Sequence, residues 1–268
     1  MEIIGYIASI LIGLSLGMIG SGGSILTVPV LVYLMHVNPS LATTSSLFIV
    51  GTTSLIGGLR AYSKELVDFK AVTVFGIPSI VTIFITRHFI LPELRDMHFT
   101  VGSIIVSRDV FLMIVFAILM LAASFSMIIN SRAETGDDIQ RQIATSHKGW
   151  LLLLLGLLVG IVTGFLGAGG GFLIIPSLVL FLKLPMKTAI GTSLFIIAIN
   201  SLLGFLFSLK QFEYNWTILI VFTVLAIVGI FIGGKLAEKV PNTSLRKGFG
   251  WFVLVMAVYI FIKELFLK

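Results

Sequence analysis

A phrase of 13 residues occurs twice in this chain, both times inside apolar stretches: Gly17–Pro29 reads GMIGSGGSILTVP and Gly164–Pro176 reads GFLGAGGGFLIIP. The copies lie 147 residues apart, and at that offset Gly13–Gly57 aligns with Gly160–Gly204 without a gap and with 17 identities. Gly17, Gly20, Gly22 and Gly23 meet Gly164, Gly167, Gly169 and Gly170, and Pro29 meets Pro176. Further on, SLFI at Ser46–Ile49 meets SLFI at Ser193–Ile196. Leucine-rich segments match by chance, but a matched set of glycines and a proline does not arise that way. Such internal symmetry is the mark of two copies of one structural unit. The chain divides into a first repeat, 1–130, a polar connector, 131–149, and a second repeat, 150–268.

The surroundings of the repeat set the fold class. Hydrophobic residues make up 57% of the chain and charged ones 11%, against about 25% charged in a soluble domain. Several stretches reach the roughly 20 apolar residues that cross a bilayer core. The expectation is an all-α polytopic membrane protein with the lipid bilayer as its solvent. The net charge of +6 then reads as basic loops that set topology, and no nucleic-acid partner is expected. There is no cysteine, which excludes disulfide and thiolate chemistry. The first 20 residues lack a basic start and carry Glu2, so they read as a membrane segment rather than a signal peptide.

Full spans are expected at about 40–62, 69–91, 109–130, 187–208, 215–236 and 246–266, with Gly-broken segments at about 3–36 and 150–183. As one helix, residues 3–36 would be about 50 Å long, too long for one crossing of a core about 30 Å thick. Either a kinked helix crosses once, or two pieces form a hairpin that returns to its starting face. Basic residues arbitrate. Single crossings leave nine Lys and Arg on each face; hairpins put 12 on one face and 6 on the other. The hairpin therefore wins. It makes the two copies inverted repeats, each a broken hairpin plus three transmembrane helices. It also puts both termini outside and the Asn130–Gly149 loop in the cytoplasm.

In inverted-repeat carriers, short helical pieces broken by glycine mark the substrate site near the membrane midplane. Irregular backbone is tolerated at that depth only where it lines a cavity or is buried in protein. A helix start offers unpaired N–H groups and partial positive charge, so it binds anions without a basic side chain. The candidate substrate-binding residues are Gly20, Ser21, Gly22, Gly23 and Ser24 in the first tip, and Gly167, Ala168, Gly169, Gly170 and Gly171 in the second. Each tip precedes a helical piece, Ile25–Met35 and Phe172–Leu182. The next spans add hydroxyl donors, Thr44, Ser45 and Ser46 in ATTSSLF, and Thr192 and Ser193 in AIGTSLF, with Asn200 one to two turns on. Packing is the competing role for small residues in membrane helices. No Asp or Glu falls in the middle of a span, and carboxylates at depth are what mark cation sites and proton relays. An anion carrier fits this pattern. Arg60, Arg87, His88 and Lys210 fall near span ends and read as snorkelling anchors.

Other chemistries find no support. GSGGS lacks the Lys and spacing of a phosphate loop. The four histidines, His36, His88, His98 and His147, have no metal-ligand spacing. Ser21 and Ser24 have no His or Asp partner at membrane depth, so no catalytic residue, metal or cofactor is expected.

The twofold Gly-x-x-Gly-x-Gly-Gly cluster, followed by an apolar stretch and Pro and then by A-x-x-[ST]-S-L-F, resembles the TauE/SafE family of sulfite exporters, also called the toluene sulfonate uptake permeases. Gly17, Gly20, Gly22, Gly23 and Pro29 carry the match in the first copy, and Gly164, Gly167, Gly169, Gly170, Gly171 and Pro176 in the second. Ser24 stands where a third glycine is usual, and the 131–149 connector is long. The resemblance implies a plasma-membrane carrier for sulfur-containing anions: sulfite, sulfonates or sulfoacetate-like acids. An anion channel and a non-transporting scaffold that docks through the connector are the alternatives. A homodimer is compatible with a carrier of this size.

Overall fold

The structure, a computed structural model, describes residues 2–20, 23–93, 99–101, 104–106, 108–129, 149–166, 171, 174–175, 178, 182, 184–236 and 242–266. Helices dominate it. In the first repeat they are α1 (Glu2–Ile19), α2 (Ser24–Tyr33), α3 (Pro39–Tyr62), α4 (Phe69–Ile85) and α5 (Arg108–Ile129). In the second they are α6 (Gly149–Leu166), α7 (Met186–Ser208), α8 (Trp216–Leu236) and α9 (Asn242–Phe266). Helix α4 continues through a π-helical turn, Thr86–Ile90, and a last turn, Leu91–Glu93. The expected spans fall on these helices to within a few residues. One element was not expected: an antiparallel hairpin of β1 (Phe99–Val101) and β2 (Ile104–Val106), whose residues are mostly β-branched or aromatic.

Local chemistry starts the helices where the 147-residue offset says they should start. Asn38 caps α3 by accepting from the Ser40 amide at 3.0 Å, with Pro39 in the first helical turn. Asp68 caps α4 through the Ala71 amide at 3.0 Å, and Asn215 stands before α8 and accepts from the Ile218 amide at 3.2 Å. Asp68 and Asn215 are equivalent positions, as are Asn38 and Pro185, the cap of α7.

The first broken segment is a hairpin. Gly5 lies against Met35, and Gly23 lies against Ile12, Ser15 and Leu16. Helices α1 and α2 therefore run antiparallel, and the chain comes back to the face it left. In the second copy only Gly171, Ile174, Ile175, Leu178 and Leu182 of the returning piece are among the described residues, and the first four are buried.

The copies then interleave. Helix α1 runs parallel to α8, with Gly13 on Ala226 and Gly17 on Ile230, and α6 runs parallel to α4, with Gly160 on Ser79 and Gly164 on Thr86. Gly13–Ala226 and Gly160–Ser79 are one contact made twice at the 147-residue offset. At both glycines a Cβ would collide with backbone of the facing helix; small residues permit this approach between membrane helices. Helices α3 and α7 cross antiparallel in the centre, with Leu47 on Gly204, Gly51 on Leu202 and Gly58 on Phe195. Helix α5 packs on α9. The buried apolar residues form mixed clusters: Ile12, Leu31, Phe116, Phe222 and Val253 in one, and Val50, Phe75, Val159 and Ile197 in another.

Burial orders the helices. In the most apolar windows of α3 and α7, 67% and 61% of residues are inside the protein, against 39% for α4 and α8. The outer helices turn apolar stripes outward: Ile220, Val224, Val228 and Phe231 on α8, and Trp251, Val255, Val258 and Ile262 on α9. Four described helices, Pro39–Tyr62, Phe69–Ile90, Lys187–Gln211 and Trp216–Leu236, are long and apolar enough to cross a membrane. Their outward stripes are the surfaces that lipid would cover.

Candidate functional site

The central α3–α7 pair ends differently at its two faces. At one face, the end of α3, the start of α7 and the ends of α1 and α8 surround a cavity of about 490 Å³. Its lining includes Gly17, Gly57, Gly191 and Gly234, which let their neighbours pack closely: Gly17 and Gly57 lie against Ile230, Gly191 against Leu66 and Gly234 against Arg60. It also includes Arg60, Lys64 and Lys187 and, among the described residues, no carboxylate. Lys64 and Lys187 are exposed at the mouth, and Arg60 lies deeper, its guanidinium 5.9 Å from the Phe231 ring centre. Like charges that share a concave, low-dielectric surface focus an attractive field on anions.

The last turn of α1, which leads into the first glycine tip, reaches this cavity. Gly17 and Met18 line it, and Gly20 turns the chain at φ +82°, beside Ile190 in the first turns of α7. Gly20 thus lies at the end of the α3–α7 pair where Ile190 sits, away from the crossing at Gly51–Leu202. The reason is length: α1 has 18 residues, about 27 Å of helix, and runs alongside α8 as far as Gly17 on Ile230 before the chain turns. Helix α2 begins directly after Gly23, with Ser24 fully buried and the Thr27 hydroxyl reaching back to the Gly23 carbonyl at 3.4 Å. Ser21, Gly22, Gly167, Ala168, Gly169 and Gly170 lie outside the described residues; Gly171 is buried.

At the opposite face the equivalent space is filled. The π-helical turn of α4 carries Arg87, which is not a snorkelling anchor: its relative exposure is 0%. Its Nη1 donates to the Thr44 Oγ1 at 2.8 Å and lies 3.4 Å from the Ser208 Oγ. The Gln211 side-chain amide donates to the Arg87 carbonyl at 3.2 Å, and the Tyr214 hydroxyl donates to the Ser208 carbonyl at 3.0 Å. Loss of water around Tyr214 pushes its pKa up to about 12, although the Arg87 charge pulls the other way. Phe48, Phe205, Tyr214 and Trp216 pack around one another beside this cluster.

The hydroxyls expected to act together lie at opposite ends. Thr44, Ser45 and Ser46 sit in the Arg87 half, while Thr192 and Ser193 sit in the first turns of α7 at the Arg60 face. Antiparallel crossing at Gly51–Leu202 leaves Thr44 and Thr192 separated by about 25 Å of helix rise. Several of these groups have partners within the fold. Thr192 Oγ1 accepts from the Asp68 amide at 2.9 Å, and Ser193 Oγ donates to the Ile190 carbonyl at 2.8 Å. Asn200 pairs with Ser79, its Nδ2 donating to the Ser79 Oγ at 2.8 Å. Arg87, Ser208, Lys64 and Lys187 were not among the expected site residues. A signal for Arg87 was present: at the 147-residue offset it stands opposite Gly234, and Thr44 stands opposite Gly191.

The family model described as sulfite exporter TauE/SafE matches residues 6–260. The chain belongs to that family. Among its relatives, a probable membrane transporter protein of Xylella fastidiosa is 28% identical over 264 residues, covering 93% of this chain and 91% of its own length. The probable membrane transporter protein YunE of Bacillus subtilis is 26% identical over 263 residues, covering 90% of each chain. A probable membrane transporter protein of Haemophilus influenzae is 25% identical over 273 residues, covering 94% of this chain and 95% of its own length. No solved structure matches. This TauE/SafE protein is a multi-pass membrane transporter, and the basic cavity and the buried arginine are to be read in that light.

Proposed function

We propose that this transporter moves small sulfur-containing anions (sulfite, a sulfonate or a sulfoacetate-like acid) by alternating access between two inverted repeats. The observation that carries the reading is the cavity of about 490 Å³ with three cations and, among the described residues, no carboxylate in its lining, reached by Gly17 and Met18 in the last turn of α1 just before the first glycine tip. The cations draw an oxyanion in, and the tip supplies helix-end N–H groups beyond them. The antiparallel α3–α7 crossing and the duplicated Gly13–Ala226 and Gly160–Ser79 contacts support a two-fold axis lying across the helices, as inversion requires. The face with Arg60, Lys64 and Lys187 is the richer in basic residues, so it is placed in the cytoplasm of a plasma-membrane protein, with both termini outside.

Thermal stability of the purified protein, followed against sulfite, sulfate, thiosulfate, sulfoacetate, taurine and chloride at constant ionic strength, tests the ligand class. A binder stabilises by RT ln(1 + [L]/Kd), so one sulfur oxyanion should stand above the salt background. That increment should shrink in the Arg60→Gln/Lys187→Gln double variant. A flat response to every anion, together with no flux into liposomes, would remove the anion reading and turn attention to a scaffold role of the 131–149 connector. Non-saturating flux would favour a channel.

A further inference from the structure

The 147-residue offset relates more than sequence: it relates the open cavity at one end of the α3–α7 pair to the filled space at the other. Gly191 and Gly234, in the cavity lining, correspond to Thr44 and Arg87. Ala61 and Lys64, also in the lining, correspond to Ser208 and Gln211. These four counterparts are the residues found joined at the opposite end, where Arg87 meets Thr44, Ser208 and Gln211. The offset is reliable at this depth of the helix, because Gly160–Ser79 repeats Gly13–Ala226 and Gly164 reaches Thr86, next to Arg87. The cluster is therefore the symmetry mate of the cavity with its side chains closed together. The chemistry of the two ends also matches. The open end holds Arg60, Lys64 and Lys187, and the closed end holds one guanidinium, fully buried, with two hydroxyls on it.

We infer that Arg87, with Thr44 and Ser208, is the anion-binding site of the outer half of the transporter, seen here closed while the Arg60 half is open. When the outer half opens, the guanidinium exchanges the two hydroxyls for oxygens of the anion, which its planar fork fits in a bidentate manner. Thr44 and Ser208 are released to donate to the same anion. The anion class rests on the proposed function above; the opening of this cluster does not.

Two measurements separate those parts. The chain has no cysteine, so Ala61→Cys and Ser208→Cys are single probes at equivalent positions. In intact cells and in permeabilised cells, a membrane-impermeant thiol reagent should modify the two from opposite sides, Ser208→Cys more slowly. A Ser208→Cys protein that stays inert from both sides, or reacts from the same side as Ala61→Cys, overturns the inference, whatever the substrate is. The second measurement is sulfoacetate and sulfite flux from each side in oriented vesicles. Arg87→Gln should raise KM from the Ser208 side about tenfold or more, the range of a lost charge-assisted hydrogen bond, with Arg87→Lys in between. KM from the Ala61 side should stay within twofold. A merely structural arginine would lower kcat or yield from both sides alike and leave both KM values unchanged, and that result sinks the assignment. Wild-type protein that moves neither anion would count against the proposed function, while the labelling still decides whether the cluster opens.

Discussion

The two ends of the α3–α7 pair are built on the same backbone plan and hold different contents. At the Arg60 end, Gly191 and Gly234 line a basic cavity and pack against Leu66 and Arg60; at the other, Thr44 and Arg87 are buried and joined to each other. The lesson is that the duplicated architecture does not by itself open or close a pathway. Side chains at a few equivalent positions do so, because helix positions shared by both copies set where space can exist and residue volume sets whether it does. The cations differ in kind as well. Lys64 and Lys187 are exposed residues, whereas Arg87 is fully buried and bonded to hydroxyls. Arginine is the suitable residue there, since its guanidinium is weakly hydrated and stays charged when buried.

Several experiments would break or sharpen that comparison. The largest effect is expected at the joints that the two ends share. Gly13→Val and Gly160→Val each force a side chain into facing backbone, and overpacking of this kind costs about 1–3 kcal/mol or more. Thermal melts in detergent should show similar losses for both; a large loss at only one would break the equivalence of the copies. Next comes Asn200→Ala. It removes a buried partner of Ser79 and should cost about 1–3 kcal/mol of stability with substrate KM unchanged. A raised KM at wild-type stability would return Asn200 to the binding site.

A reciprocal swap probes the two ends directly. Ser208→Ala should cost about 1 kcal/mol, since it withdraws a hydroxyl from Arg87. Ala61→Ser, in the open cavity, should stay within about 0.5 kcal/mol of wild type. Equal effects would mean that the ends are not filled and empty as described. The smallest effect concerns Tyr214. Its folded pKa is raised from 10.0 to about 12, so the fold favours the neutral phenol. The stability this group confers is complete below pH 10 and declines as pH rises through about 12. Tyr214→Phe should therefore leave the transport pH profile unchanged up to pH 9 and reduce the alkaline loss of stability above pH 10. A profile that shifts near neutrality in this variant would give Tyr214 a proton-transfer role.

Much of the fold was legible because membrane helices announce themselves by length and apolarity. Helices α3, α4, α7 and α8 begin and end close to the positions expected from hydropathy, and the structure adds Asn38, Asp68 and Asn215 as the residues that cap the starts of α3, α4 and α8. The hairpin of the first broken segment followed from counting charges, and Gly5 on Met35 bears it out. The site was less legible. Thr44 and Thr192 occupy neighbouring places in the repeat pattern, yet antiparallel crossing sends them to opposite ends. Arg87 near a span end resembled a lipid-facing anchor, because a one-dimensional reading cannot tell which side of a helix turns inward. The π-helical turn at Thr86–Ile90 adds a local change of phase that hydropathy does not reveal.

By itself the sequence determined that one unit is written twice, that the chain lives in a membrane, and where the long described helices run. Those properties depend on local composition and on an offset that can be counted along the chain. Only the tertiary structure decided which end is open, which cation is buried, and which hydroxyls share a partner. Those depend on helix phase and crossing direction, and on which side chains turn towards each end of the central pair.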